Sequence, residues 1–330
     1  GLVVAAMLDQ PRIGPDDPVV ARALEYILAR AQPDGSIRDG EDGILANYNT
    51  AICLSALARV HNDPEVAAVV DRAQHFLKQI QWTVGDVTPD GDTITQGHPY
   101  FGGSGYGRNG RPDMSNTQFM LQALYDSGVD CEDPAFLNAL TFISRCQGIE
   151  ANDYFPAGTI VNDGGVIYST AVNKDNKHLP VSYANPDQVD EARAGRPVSG
   201  LRGYGSMTYA AFKSFLYADL DRDDPRVLAA LDWIQNHYTL EQNPGMPESV
   251  KLQGLYYFYL THARALAAYG NTFLDLADGT QLNWANALIA KLVSLQRDDG
   301  SFANVESRWM EDNPELVTAY SVTALQAAAN

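Results

Sequence analysis

The chain repeats one kind of helical unit along its length. Four Asp-Pro pairs stand directly before segments whose apolar residues recur at i, i+3, i+4 and i+7: Asp17-Pro18, Asp63-Pro64, Asp133-Pro134 and Asp224-Pro225. Aspartate caps the free N–H groups at a helix start, and proline fits the first turn because its missing N–H needs no partner there. The pattern predicts amphipathic helices with one buried stripe at 19–31, 65–81, 135–147 and 226–237.

A second type of segment alternates with the amphipathic ones. These segments are apolar nearly all round and keep a threonine in one register, at Thr50, Thr117, Thr208 and Thr318. A looser copy lies near residue 257, and residues 1–8 match the end of the pattern. Such segments are typical of helices that are buried on both sides. A fifth amphipathic helix is predicted at 282–296.

This alternation predicts an all-α fold in which an inner layer of helices lies within an outer layer. Six inner and five outer helices favour an (α/α)6 toroid, one domain over 1–330 with a central cavity. The sixth outer helix would lie before Gly1. We therefore expect the native chain to begin upstream, together with any export signal, and no compartment is predicted.

Several repeats end in a glutamine followed by an Asp-Gly turn. Gln32 and Gln296 show the pattern, and Gln147 is a weaker copy. Glycine takes the left-handed turn after the helix, and the glutamine side chain can bond the helix end of its neighbour. These turns resemble the motifs of the prenyltransferase and squalene–hopene cyclase repeat family. The resemblance covers the whole chain and implies the toroid of the terpenoid cyclases.

The class II cyclases of that family carry an Asp-x-Asp-Asp-Thr motif at an inner-helix start, and its middle aspartate protonates an alkene. The matching segment keeps the first aspartate as Asp113, but Ser115 replaces the middle acid and Asn116 the last. A serine hydroxyl cannot protonate an alkene, so the usual mechanism is in question. The family's protein prenyltransferases need an Asp, Cys and His trio for zinc, and no such trio stands in register.

Two long connections, 82–113 and 148–204, precede inner helices, and we expect both at the same mouth of the toroid. Connections of this length are usually functional or contain short elements of their own. Aromatic walls with a few polar groups are typical of ligand sites. The alternative is that these glycines and aromatic residues only pack the connections and the core. The candidate substrate-binding residues are Tyr48, His98, Tyr106, Arg108, Arg111, Ser115, Asn116, Tyr204, Tyr256, Tyr257, His262 and Trp309.

Three carboxylates at inner-helix starts are candidate catalytic acids. Asp113 could act as an acid or base tuned by Arg108 or Arg111. Glu311 and Asp312 follow an aromatic residue, which favours a raised pKa. The alternative for Asp113 is a helix cap on the N–H of Asn116. The alternative for the other two is capping of the helix that follows them.

Charge and cysteine content exclude several classes of function. With 23 Lys and Arg against 41 Asp and Glu, the net charge is −18, which would be repelled by nucleic acid and by anionic membrane surfaces. The 3 cysteines form no CxxC pair, so neither a disulfide framework nor a four-cysteine zinc site is predicted. No run of about 18 apolar residues suggests a membrane span. No motif requires a cofactor, and a divalent cation is left open.

The resemblance and the retained Asp113 favour a terpenoid-cyclase-like enzyme, an isomerase or lyase, that binds an apolar polyprenyl-type small molecule. The alternatives are a lyase or hydrolase acting on a polar substrate such as a saccharide, and a non-catalytic module that binds a ligand or protein. A mostly aromatic and aliphatic wall would favour the first. An arginine, a carboxylate and a tyrosine within reach of each other would favour the second. The oligomeric state is not predicted.

Overall fold

A computed structural model of the chain describes residues 1–40, 45–60 and 62–329. Its regular secondary structure is helical apart from one short hairpin among the described residues, so the all-α fold class is confirmed. The chain forms two compact units, Gly1–Ile143 and Ser144–Asn330. A single closed toroid over 1–330 stays a prediction.

The first unit alternates exposed and buried helices. Its helices are α1 (Leu2–Leu8), α2 (Pro18–Leu28), α3 (Ala46–Leu57), α4 (Pro64–Ile80), α5 (Met114–Asp126) and α6 (Pro134–Cys146), whose last turn enters the second unit. Helix α3 packs against α1, α4 and α5. Every residue of α5 from Met114 to Leu124 is buried. Helix α2 buries only the stripe Val20, Leu24 and Ile27, as the sequence pattern predicts.

The second unit is built around α10. Its elements are α7 (Pro186–Arg193), α8 (Gly205–Tyr217), α9 (Pro225–His237), α10 (Leu255–Tyr269), β1 (Phe273–Asp275), β2 (Gln281–Asn283), α11 (Trp284–Leu295) and α12 (Pro314–Ala329). Helix α10 packs against both α8 and α12. Strands β1 and β2 are antiparallel, with Leu274 opposite Leu282. Helix α7 and the hairpin were not predicted, and α7 divides the second long connection.

The Asp-Pro helix starts are confirmed at all four positions. The carboxylates of Asp17, Asp63, Asp133 and Asp224 each accept the backbone N–H two residues ahead, at 2.8–2.9 Å. Each cap satisfies a donor that the first helical turn leaves without a partner. The negative charges of these four aspartates therefore stabilise the starts of their helices.

The threonine register marks a repeated tertiary contact. The hydroxyl oxygens of Thr50, Thr117, Thr208 and Thr318 each accept a backbone N–H from the connection that precedes their helix, at 2.9–3.0 Å. The donors are Ile37, Ser104, Val166 and Phe302. Each inner helix is thereby tied to the segment that leads into it.

The glutamine prediction is confirmed at one position and wrong at two. Gln147 Nε2 donates to the Arg226 carbonyl in the first turn of α9, at 2.8 Å. Gln81, which the sequence pattern did not single out, makes the same contact with the Ala135 carbonyl in α6. In contrast, Gln32 and Gln296 donate to carbonyls of their own turns.

Candidate functional site

One cluster of predicted site residues lies in the first unit. We call Tyr48, Tyr106, Ser115 and Phe119 the Tyr48 group. The Tyr48 hydroxyl donates to Ser115 Oγ at 2.7 Å. Its ring meets those of Tyr106 and Phe119 edge-on, at centroid distances of 5.6 and 5.3 Å. Helices α3 and α5, with the connection that carries Tyr106, thus place the Tyr48 and Ser115 hydroxyl pair beside the rings of Tyr106 and Phe119.

Asp113 begins α5 as its N-cap and is fully buried. One carboxylate oxygen accepts the Asn116 N–H and the other accepts Asn116 Nδ2, both at 2.9 Å. The capping interpretation is confirmed. Asn116 therefore stands where the resembled motif has its last acid, and it hydrogen-bonds the first aspartate of that motif, Asp113.

Asn47 joins this cluster without having been predicted. Its Nδ2 donates to the carbonyls of Gly105 and Asn116, at 2.9 and 3.3 Å. The side-chain oxygens of Asn47 and Asn116 are buried without a hydrogen-bond partner among the described residues. The sequence signal that could have identified Asn47 is its position, one helical turn before Thr50 of the threonine register.

The other predicted residues of the first connection are less enclosed. His98 accepts the Tyr100 N–H at 3.1 Å, and the two rings lie 5.1 Å apart. Arg108 is exposed and Arg111 is half-buried. The structure therefore brings Tyr48, Tyr106 and Ser115 together and bonds Asn116 to Asp113, whereas His98 packs with Tyr100.

A second cluster lies in the second unit and centres on Glu311. One carboxylate oxygen of Glu311 accepts the Tyr257 N–H at 2.8 Å, and the other accepts Asn304 Nδ2 at 2.7 Å. Asn304 also donates to the Leu252 carbonyl at 2.6 Å. Helix α10 begins after Gly254, which supplies no side-chain cap. Glu311 therefore caps α10 from a distant segment.

Burial shifts the protonation of this carboxyl group toward neutral pH. Glu311 is 1% exposed, and desolvation raises its pKa to about 7, against the lowering effect of the N–H groups of α10 and the Asn304 amide. A buried carboxylate loses its hydration, and hydrogen bonds return only part of that stabilisation. Near neutral pH the group exists in both protonation states.

Trp309, two residues before Glu311 in the chain, has an unusual backbone conformation. Trp309 and Met310 have φ values of 58° and 65°, a region that is costly for residues with a side chain. The Trp309 ring packs on Gly254, where a Cβ would lie 3.1 Å from Cζ3, and meets the Tyr183 ring at 5.3 Å. The Arg308 guanidinium lies 4.8 Å from the Trp309 ring centroid and 5.1 Å from that of Tyr183.

The neighbouring acid and the following helix differ from expectation. Asp312 is exposed. Asn313, not Glu311 or Asp312, accepts the Leu316 N–H in the first turn of α12, at 3.0 Å. The interpretation that the acidic pair caps α12 is wrong for Glu311, because its carboxylate turns to α10.

The aromatic run of α10 is divided between the Glu311 cluster and the core. Tyr256 is buried, and Tyr257 is half-buried with its ring 6.2 Å from that of Tyr320. Burial and Glu311 raise the pKa of Tyr256. Tyr204 is buried at the start of α8. Tyr320 was missed, although it stands two residues after the register threonine of α12.

His262 lies inside a cage of aromatic rings. Its ring centroid is 5.1–5.9 Å from those of Tyr209, Phe258, Tyr238 and Trp284. Burial lowers its pKa to about 3, so the imidazole is neutral at physiological pH. The ring contacts place His262 in the core of the second unit.

Among the described residues, no group of three or more His, Cys, Asp or Glu side chains is arranged to hold a metal ion. None of the described helices combines the length and the apolar character that a membrane crossing needs.

Comparisons with known proteins give similarity to solved structures only. No protein-family model matches the chain, and no curated protein matches it. The apo structure of the type II terpene cyclase MstE from Scytonema is 13% identical, with a TM-score of 0.40 over 99% of this chain and 98% of that one. A variant of MstE in complex with its substrate, geranylgeranyl dihydroxybenzoate, is 12% identical, with a TM-score of 0.38 over 99% and 97%. A protein from Actinoplanes is 14% identical, with a TM-score of 0.41 over the whole of both chains. Similarity at these TM-scores carries no argument about function.

Proposed function

We propose that this protein is a terpenoid-cyclase-like enzyme that binds an apolar polyprenyl-type substrate and protonates it with Glu311. The observation that carries the proposal is the buried Glu311 carboxyl group, whose pKa is raised to about 7 beside aromatic residues of α10. A carboxylic acid that keeps its proton near neutral pH can act as a general acid.

The proton transfer is balanced within this cluster. The O–H bond of Glu311 breaks, a C–H bond forms at one alkene carbon, and the other alkene carbon becomes a cation. The carboxylate that forms accepts hydrogen bonds from the Tyr257 N–H and Asn304 Nδ2, which already donate to its oxygens. We assign stabilisation of this cation to the electron-rich rings of Tyr257, whose N–H bonds the carboxylate, and of Trp309, two residues before Glu311 in the chain.

The cluster at Asp113 has a different role in this proposal. Ser115 stands where the resembled motif has its acid, and its hydroxyl is bonded by Tyr48 at 2.7 Å. Asp113 is engaged by Asn116 through both oxygens. We assign Asp113 to holding the start of α5, and the Tyr48 group to an aromatic surface against which an apolar chain packs.

Incubation with farnesyl, geranylgeranyl and squalene substrates, followed by mass spectrometry of the products, tests the proposal. E311Q keeps the shape of the side chain and removes the acid, so product formation should fall by at least about 100-fold. The matched control D312N changes the adjacent exposed carboxylate and should leave turnover unchanged.

Two outcomes would change the assignment. Loss of turnover in D113N with E311Q active would make Asp113 the acid. Neither turnover nor binding of any of the three substrates by the wild type would reject the terpenoid function itself. Binding without turnover would favour a non-catalytic module.

A second candidate is a lyase or hydrolase acting on a polar substrate such as a saccharide. The observation that favours it is Arg308, which stands three residues before Glu311. Its guanidinium stacks on the rings of Tyr183 and Trp309. It forms no ion pair with a carboxylate among the described residues. An aromatic face edged by a guanidinium suits a sugar ring that carries a carboxylate. Titration of Trp309 fluorescence with acidic oligosaccharides and with geranylgeraniol distinguishes the two candidates, and R308A should weaken only the former.

A further inference from the structure

Three polar side chains meet inside the second unit without partners for their polar atoms. They are His262 of α10, Tyr209 of α8 and Tyr238, which directly follows α9. Both ring nitrogens of His262 and the hydroxyls of both tyrosines are buried with no hydrogen-bond partner among the described residues. His262 and Tyr209 are 0% and 1% exposed. The Tyr209 and Tyr238 ring centroids lie 5.1 and 5.7 Å from that of His262.

A dry arrangement of these groups would be costly. Each buried donor or acceptor that loses its water partner without a replacement destabilises the fold. The surrounding side chains do not supply one. Phe258 has no polar atom, and Trp284 Nε1 already donates to the Asn271 carbonyl at 2.8 Å. Internal waters occupy sites where about three otherwise unpaired polar groups converge.

We propose that a water molecule is bound inside the second unit between Tyr209, Tyr238 and His262. It bridges the two hydroxyls and one nitrogen of the neutral imidazole. Each hydroxyl can donate or accept, and the imidazole offers an acceptor on one nitrogen and a donor on the other. The water therefore joins α8, the end of α9 and α10 through polar contacts in an otherwise aromatic cage.

The hydroxyl deletions Y209F and Y238F test this proposal by whether they lower or raise Tm. If the water is bound, each variant removes one of its partners and should lower Tm by about 2 °C or more. The double variant should cost less than the sum of the two, because the first substitution already weakens the site. If the hydroxyls are dry, each deletion removes an unpaired polar group and raises Tm, which would overturn the proposal.

Two tyrosines of this chain calibrate the measurement. Y259F deletes a hydroxyl that donates to the Leu240 carbonyl at 2.6 Å and should lower Tm. Y26F deletes a hydroxyl from a residue that is 55% exposed and should leave Tm unchanged.

A crystal structure of the wild type at better than about 1.5 Å resolution decides the matter if the variants fail to fold. We expect one water-sized density peak within hydrogen-bond distance of the Tyr209 and Tyr238 hydroxyls and a His262 nitrogen. Empty density there, or a peak too large for a single water, would reject the proposal.

Discussion

The Glu311 carboxylate accepts the backbone N–H of Tyr257 at 2.8 Å, across 54 positions of the chain. Helix α10 begins after Gly254, whose φ is 68°, and glycine has no side chain with which to cap the free N–H groups. Glu311 fills that role from the segment before α12. Burial of the carboxyl group raises its pKa to about 7, although the N–H contact acts in the opposite direction. Cap and candidate acid are therefore one residue.

Protonation of Glu311 should make stability depend on pH. Its folded-state pKa is raised, to about 7 from 4.5. Its favourable contribution to the unfolding free energy is therefore complete below pH 4.5 and is lost as the pH rises through 7. The difference in unfolding free energy, wild type minus E311Q, should fall by about 3 kcal/mol between pH 4 and pH 8. Urea unfolding at several pH values measures it. A pH-independent difference between wild type and E311Q would contradict this prediction.

Asn304 should tune the pKa of Glu311. Its amide donates to the carboxylate at 2.7 Å and thereby lowers that pKa. N304A removes the donor, so the pKa of Glu311 should rise above about 7, as followed by carboxyl carbon NMR. The control N313A deletes an amide from the same segment that bonds α12 instead, and should leave the titration of Glu311 in place. An unchanged pKa in N304A would show that burial alone sets it.

His262 should act in the opposite direction on acidification. Its folded-state pKa is lowered from 6.5 to about 3 by burial, so the stabilising contribution of the neutral ring is present above 6.5 and is lost as the pH falls. The unfolding free energy of the wild type should fall by about 3 kcal/mol relative to that of H262Q between pH 7 and pH 4. Acid titration of unfolding measures the difference. A constant difference would mean that His262 becomes protonated within the folded protein at little cost.

Gln147 and Gln296 form a matched pair for testing the glutamine turns. Buried Gln147 donates to the carbonyls of Gly164 and Arg226, and Q147A should cost about 1–3 kcal/mol because it leaves both acceptors without that donor. Exposed Gln296 donates, within the described part of the chain, only to the Gly300 carbonyl of its own turn. Q296A should therefore change unfolding free energy by less than about 0.5 kcal/mol. Equal effects in urea melts would contradict the distinction.

Local signals in the sequence predicted the helices well. The Asp-Pro starts were confirmed because a cap and its helix are adjacent in the chain, so the contact needs no tertiary information. The threonine register aligned inner helices correctly, and the structure shows why: each threonine accepts an N–H from the preceding connection. Helix α7 was missed because it is short and largely polar, with only Val189 and Ala192 buried.

The candidate site was predictable only in part. The motif at Asp113 was recognisable, and its cap on Asn116 follows from a spacing of three residues. Asn47, Arg308 and Asn304 were not singled out, because each acts through a contact with a segment or ring that sequence spacing does not specify.

The sequence by itself determined the all-α fold, the alternation of exposed and buried helices, and the residues that start them. These features depend on periodicity and on groups within a few positions of each other. Only the tertiary structure decided that Glu311 caps α10 rather than α12, and that His262 is enclosed by Tyr209, Tyr238, Phe258 and Trp284. Burial by distant segments sets the hydration of both groups, and hydration determines whether each carries a charge.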